Sequence, residues 1–170
     1  FAQKLFKVYC HMKGARALSV KTVEESRVSI GNLMQPEHAN HYGNVHGGEI
    51  MKLMDHAAGI VALRHARTNV VTARVDNLEF HLPVHVGNLV TCEAHLVFVG
   101  KSSMEIAVTV KVEDLSNEEA AKVALTALFT MVAFNKDGAR AVVPSLRLTT
   151  DAEVQAFEEG RRRYEAYKQR

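Results

Sequence analysis

The chain has no tryptophan, only three prolines and two cysteines, and no apolar run long enough to cross a membrane as a helix. Each shortage excludes something. Cys10 and Cys92 lie far apart and match no metal-ligand or redox spacing, which fits free thiols in a reducing compartment. The prolines, Pro36, Pro83 and Pro144, each fall where a periodic stretch ends. A net charge of +2 is too small to imply a nucleic-acid partner by itself, and the nine histidines add charge only below neutral pH. What is present is a globular composition, 47% hydrophobic and 24% charged, in 170 residues, the length of one domain.

The first twelve residues, FAQKLFKVYCHM, begin without Met and are basic and weakly amphipathic, in the manner of a trimmed targeting peptide. We read His11-Met12 instead as a cloning junction, with Met12 as the natural start. Residues 1–22 are therefore set aside as a leader, 23–146 taken as the main domain and 147–170 as a C-terminal helix.

Hydrophobic periodicity outlines the domain. Ser26–Met34 alternates loosely and predicts a first strand. From about Gly48 to His65, Ile50, Leu53, Met54, Ala57, Ile60, Val61 and Arg64 recur at helical spacing. Met51, Ala58, Ala62 and Leu63 widen the stripe almost all round, so a buried helix is expected. The period then changes to two. Val70–His81 reads as a strand with Val71, Ala73 and Val75 on one face; Leu89–Val99 and Met104–Val112 alternate around a hairpin turn at Gly100–Ser103. Val123–Phe134 is apolar on both faces, as in a covered central strand. Asp151 is expected to cap a polar helix ending near Lys168. The predicted class is α+β, one long buried helix wrapped by a curved antiparallel sheet, plus the terminal helix. A sheet around one helix leaves open edges, so pairing with a second copy is expected.

The segment from Asn40 to Asp55 carries the chemistry. Gly47 and Gly48 stand at the mouth of the long helix, where free N–H groups and the helix dipole favour a developing oxyanion. Asn40, Asn44 and His46 precede that mouth. Asp55 lies two turns inside, between the apolar stripe and a less apolar side marked by Lys52, His56 and Gly59. A carboxylate in such a helix is either used in chemistry or paired with a cation. His46 either donates to the oxyanion or caps the loop. His81 and His85 tempt a metal reading, but Pro83 prevents a helix from presenting them together, and no metal is expected.

Met34 to about Phe134 resembles the hotdog-fold acyl-CoA thioesterases, in the branch of the cytosolic acyl-CoA hydrolases and their single-domain bacterial members. The resemblance rests on Ala39-Asn40-x-x-Gly43-Asn44-Val45-His46-Gly47-Gly48, Met51-Lys52-Leu53-Met54-Asp55 and Ala58-Gly59-Ile60. It continues through Ala62-Leu63-Arg64-His65, Thr68–Ala73, Val75-Asp76, Phe80-His81, Gly87 and Ser102-Ser103-Met104-Glu105-Ile106, and reappears in Phe157–Tyr164.

The resemblance implies hydrolysis of acyl-CoA to free CoA and a fatty acid, with Asn40 and Asp55 as the catalytic pair. It implies a homodimer joined sheet to sheet, assembling further as a trimer of dimers, with Asn40 and Asp55 of each site drawn from different protomers. Asp55 is then the general base or the nucleophile, Asn40 orients water or the thioester, and Asn44, His46, Gly47 and Gly48 support the oxyanion. Asn44 stands where some single-domain relatives carry an Asp. For the phosphates of CoA, Arg64, Arg67, Lys101, Ser102, Ser103 and Arg161–Arg163 are candidates. No cofactor beyond CoA as part of the substrate, no nucleic acid, no membrane and a cytoplasmic location are expected. Two other readings stand beside this one: a hydratase or dehydratase on acyl thioesters, with His56 judged to face away from Asp55, and a non-catalytic acyl-CoA sensor.

Overall fold

The computed structural model describes residues 19–169; the expected leader up to residue 18 lies outside the described residues. In chain order the elements are β1 (Lys21–Thr22), β2 (Val28–Leu33), α1 (Gly47–Ala66), β3 (Asn69–Phe80), β4 (Leu89–Val99), β5 (Ser103–Glu113), β6 (Lys122–Phe134), β7 (Leu146–Arg147) and α2 (Asp151–Lys168). Five strands form one antiparallel sheet in the order β2-β4-β5-β6-β3, and the short β1 and β7 pair in parallel. β1 thus lies ahead of residue 23, tied to the segment that leads into α2.

α1 forms where the apolar spacing places it, and its ends are closed by local chemistry. The His46 ring caps the start, and Arg67, in the left-handed region at φ 55°, closes the end with its N–H on the Leu63 carbonyl. Lys21 Nζ adds bonds to the Arg64 and His65 carbonyls, placing a cation at the negative end of the helix dipole. Ile50, Met54, Ala57, Ala58, Val61, Ala62 and His65 face the sheet. The helix is not buried all round, however: Met51 is 39% and Leu63 48% exposed. The sheet wraps one face and leaves the other to solvent in a single chain.

The concave face of the sheet carries Met104, Ile106, Val108 and Val110 of β5 opposite Leu125, Ala127, Phe129 and Met131 of β6, all buried against α1. Cys92 of β4 belongs to this core, and burial pushes its thiol up to about 12.

β3 departs from the simple alternation. Register shifts between Thr72 and Arg74 and between Asp76 and Glu79 mark two bulges, the second holding Asn77 at φ 50°. Val71 therefore pairs with Val132 on the outer face while Val75 pairs with the buried Phe129 on the inner face. The expected common face for Val71, Ala73 and Val75 is not formed, because the extra residue resets the alternation.

α2 packs on the outer face. Thr150, not Asp151, is its cap, its side chain accepting from Glu153 N. A bulge in β4 between Leu96 and Phe98 turns Phe98 outward, where its ring meets Phe157 at 5.0 Å and Tyr164 at 5.2 Å. Gly160 sits over Phe98 so closely that a Cβ there would lie 2.5 Å from the Phe98 Cβ. Arg163 grips the buried Glu105 through Nε and Nη2, Nη2 to Oε2 at 2.6 Å.

Candidate active site

Asp55 projects from the flank of α1 into a groove of about 530 Å³. Leu53 and Ile60 of α1, Ile30 of β2, Val70 of β3 and Met131 of β6 line it. Residues from both edge strands meet there because the sheet curls around the helix. The Thr72 hydroxyl donates to Asp55 Oδ1 at 2.6 Å. Among the described residues no Arg or Lys forms a salt bridge with Asp55, and none donates a hydrogen bond to its second oxygen. His56, expected to face away from Asp55, lines the same groove. The groove is wide enough to admit both neighbours.

Asn40 lies elsewhere in the chain. Its Oδ1 accepts from Tyr42 N at 2.9 Å and Asn44 N at 3.3 Å, closing a turn that the backbone bond Asn40 N to Asn44 O seals at 2.7 Å. Its side-chain NH₂ donates to no protein group among the described residues. Asn44 pairs back to His85, so the loop is built rather than loose.

The helix mouth differs from expectation. The Gly48 N–H donates to His46 Nδ1 at 3.0 Å and is not free for an oxyanion, whereas the Gly47 N–H has no acceptor among the described residues. With Nδ1 accepting, His46 keeps only Nε2 as a donor. Both glycines are needed for space. A Cβ at Gly47 would lie 3.2 Å from the Phe80 ring, and one at Gly48 would lie 3.1 Å from the His46 ring. Eight residues separate Gly47 from Asp55, a rise of about 12 Å, too far for one thioester carbonyl to bridge. Within one chain, then, the helix mouth and the Asn40 loop, joined through the Ala39–Val45 bridge, form one cluster, and Asp55 with Thr72 another.

The residues suggested for phosphates divide as well. Arg64 Nη1 donates to the Arg27 carbonyl at 2.8 Å, and Arg67 and Lys101 are exposed. Ser102 and Ser103 line a second cavity, of about 340 Å³, on the outer face, together with Arg74, Arg140 and Lys168. Those three cations carried no sequence motif; only strand register and the end of α2 bring them to the serines. Arg163 is occupied by Glu105, and Arg161 pairs with Glu158. Thr72 was also missed as a site residue, since one hydroxyl in a β-branched strand reads as ordinary strand sequence. Among the described residues no three His, Cys, Asp or Glu side chains are grouped as metal ligands.

One long helix held in a curled five-stranded antiparallel sheet is the hotdog architecture. A model of the thioesterase superfamily matches residues 42–118. The cytosolic acyl coenzyme A thioester hydrolase of Rattus norvegicus is 42% identical over 144 residues, 84% of this chain, but this chain spans only 38% of the rat protein. An uncharacterized acyl-CoA thioester hydrolase of Zymomonas mobilis is 39% identical over 71% of this chain and 80% of its own length. A crystal structure of an apo-hexameric acyl-CoA thioesterase superposes with a TM-score of 0.82 at 30% identity, covering 89% of this chain and 97% of that one. The acyl-CoA hydrolase of Staphylococcus aureus, in complex with butyryl coenzyme A, coenzyme A and coenzyme A disulfide, gives 0.79 at 29% identity, covering 88% and 91%. That hydrolase has also been solved with an asparagine, an aspartate and a threonine each replaced by alanine. The chain belongs to the thioesterase superfamily, among the acyl-CoA thioester hydrolases.

Proposed function

We propose that the protein hydrolyses acyl-CoA to free CoA and a fatty acid, with Asp55 as the group that activates water or attacks the thioester. The observation that carries this is a carboxylate held by the Thr72 hydroxyl, with no cation partner among the described residues, facing an apolar groove. A further match supports it. The residues replaced in the Staphylococcus aureus hydrolase are spaced fifteen and then seventeen positions apart, as are Asn40, Asp55 and Thr72 here.

The chemistry follows from the geometry. Water gives a proton to the free Asp55 oxygen as its oxygen attacks the carbonyl carbon. The Gly47 N–H stabilises the carbonyl oxygen as charge develops, and the Asn40 NH₂ orients the water or the thioester. The C–S bond breaks, and the CoA sulfur leaves, taking up the proton that Asp55 gained and so restoring the carboxylate. In the covalent variant the Asp55 oxygen attacks instead, and water resolves the anhydride. Asn44 and His46 hold the loop and the helix mouth. The acyl chain lies along Leu53, Ile60 and Met131.

Because Gly47 and Asp55 are about 12 Å apart along one helix, we place each site between two protomers, Asp55 and Thr72 of one meeting the Asn40–Gly48 loop of the other. The β3 edge supports this pairing, since Val71 is 50% and Phe80 56% exposed there. The hexameric neighbour supports a trimer of such dimers. CoA phosphates would meet Arg64, Arg67, Lys101, Ser102 and Ser103; although the serines line the outer face, the α1–β3 and β4–β5 connections lie toward the same end of the sheet, since Ser103 pairs with Val132 and Asn69 with Phe134. No separate cofactor is invoked, and the rat relative's name supports a cytosolic location.

Free-thiol release from acetyl- to palmitoyl-CoA tests the reading with wild type, Asp55→Ala and Asn40→Ala. Turnover lost in both variants with the fold retained is expected; turnover surviving Asp55→Ala contradicts it. His56 beside Asp55 keeps one other reaction in view, hydration of an enoyl-CoA, which product analysis with an added enoyl-CoA reads as hydroxyacyl-CoA formed without thiol release.

A further inference from the structure

We propose that Arg74 is a positioning residue: clamped on the outer face of β3, its guanidinium fixes the bulge at Ala73 and so aims Thr72 at Asp55. This rests on the reading of Asp55 and Thr72 given above.

In an unbroken strand, residues two apart share a face, so Thr72 and Arg74 would point the same way. They do not. Thr72 pairs with the inner Met131 and Arg74 with the next residue of β6, the outer Thr130, so two steps along β3 match one along β6. Ala73 is the extra residue. A bulge interrupts the ladder, and among the described residues β3 has one neighbour, β6, its other edge being left for the partner strand proposed above. A hold on the strand's own face sets the bulge from within the chain.

The outer face supplies that. Arg74 Nε donates to Asp76 Oδ2, and Nη2 donates to Thr130 Oγ1 at 3.2 Å. The guanidinium lies 3.4 Å from the centre of the Tyr167 ring, and the Tyr167 hydroxyl donates to Asp76 Oδ1 at 3.1 Å. Arg74, Asp76 and Tyr167 thus close on one another and join the last turns of α2 to β3. They grip the short regular stretch, Arg74 to Asp76, between the two bulges. Thr72 lies just before the bulge, so a bulge that relaxes or moves by one residue changes the position or the face of its hydroxyl relative to α1. The C-terminal helix is therefore coupled to the site through two residues of strand.

The test is a double-mutant cycle in the full chain, reading kcat and KM by thiol release for wild type, Arg74→Ala, Thr72→Val and the double variant, with Lys122→Ala as a surface ion-pair control. We expect Arg74→Ala to lower kcat by about ten- to a hundredfold, the scale of a site misplaced by a fraction of an ångström to one ångström. In the Thr72→Val background the same change should have no further effect, because Arg74 acts only through that hydroxyl. A kcat for Arg74→Ala at the wild-type level overturns the proposal. So does a rise in KM with kcat retained, which would make Arg74 a ligand contact, and so do losses that multiply in the double variant. If Arg74→Ala loses its circular-dichroism signature, Tyr167→Phe, which removes one hydroxyl, is read through the same cycle with the same outcomes. Wild-type turnover in Asp55→Ala overturns the site reading and the clamp with it. Loss there without loss in Arg74→Ala overturns the clamp alone.

Discussion

The Thr72 hydroxyl and the Asp55 carboxylate meet at 2.6 Å, joining strand β3 to helix α1 across seventeen residues of chain. The contact leaves one carboxylate oxygen for a water and fixes its direction. Thr72→Val keeps the shape and removes the donor, so kcat is expected to fall roughly ten- to a thousandfold, with thermal stability changed by no more than about 1 kcal/mol. Thr72→Ser keeps the hydroxyl and should restore most of the rate. Steady-state kinetics beside a thermal melt check this; a Val variant with full kcat would make the contact structural only.

The packing of α2 gives a stability prediction. A Cβ at position 160 would stand 2.5 Å from the Phe98 Cβ and 3.0 Å from Glu105 Oε2. Neither neighbour can yield easily, since Phe98 is packed against the tilted rings of Phe157 and Tyr164 and Glu105 is bonded to Arg163. Gly160→Ala, ordinarily favourable in a helix, is expected to destabilise by about 1–3 kcal/mol. A denaturant titration should show a lower midpoint with unchanged slope. A raised midpoint would mean that α2 is not seated as described.

The pH dependence of stability should carry the mark of His65. This side chain is fully buried, its Nε2–H donates to the Pro144 carbonyl at 2.8 Å, and its Nδ1 is buried with no partner among the described residues. Burial lowers its pKa from the ordinary histidine value, and the nearby Lys21 cation acts the same way, against the hydrogen bond to Pro144. The folded state then binds its proton less readily than the unfolded state. Its contribution is fully present above about pH 6.5 and is lost as pH falls through the depressed folded value, by at most about 1.4 kcal/mol per pH unit. Chemical denaturation from pH 7.5 to 5 should show this slope. His65→Gln, which keeps a donor for Pro144, should flatten it; an unchanged slope would place the titration elsewhere.

Much of this was legible in the sequence, for reasons that also mark where legibility ends. α1 and the β4–β5 hairpin follow from periodicity because their apolar residues face one continuous core. The extent of β3 follows too, Val70–His81 expected against Asn69–Phe80 found, but its faces do not, because a bulge carries no residue signature of its own: Ala73 and Asn77 look ordinary until the partner strand counts them as extra. Asp55 stood out as a lone carboxylate in an apolar helix, whereas Thr72 had only the chemistry of a strand residue. The glycine pair pointed correctly to a tight helix mouth, but which amide is free depends on the His46 ring rotating back onto Gly48. Nothing in the spacing of residues fixes that rotation.

The central claim is that each site draws Asn40 from one protomer and Asp55 from its partner. Its most direct test is complementation between two inactive variants, Asn40→Ala and Asp55→Ala, co-expressed in equal amounts with different tags and assembled at random. One site in four then combines an intact Asn40 with an intact Asp55, so the account predicts about a quarter of wild-type acyl-CoA turnover. A mixture whose mixed-tag assembly is verified and that remains as inactive as either variant alone would contradict it.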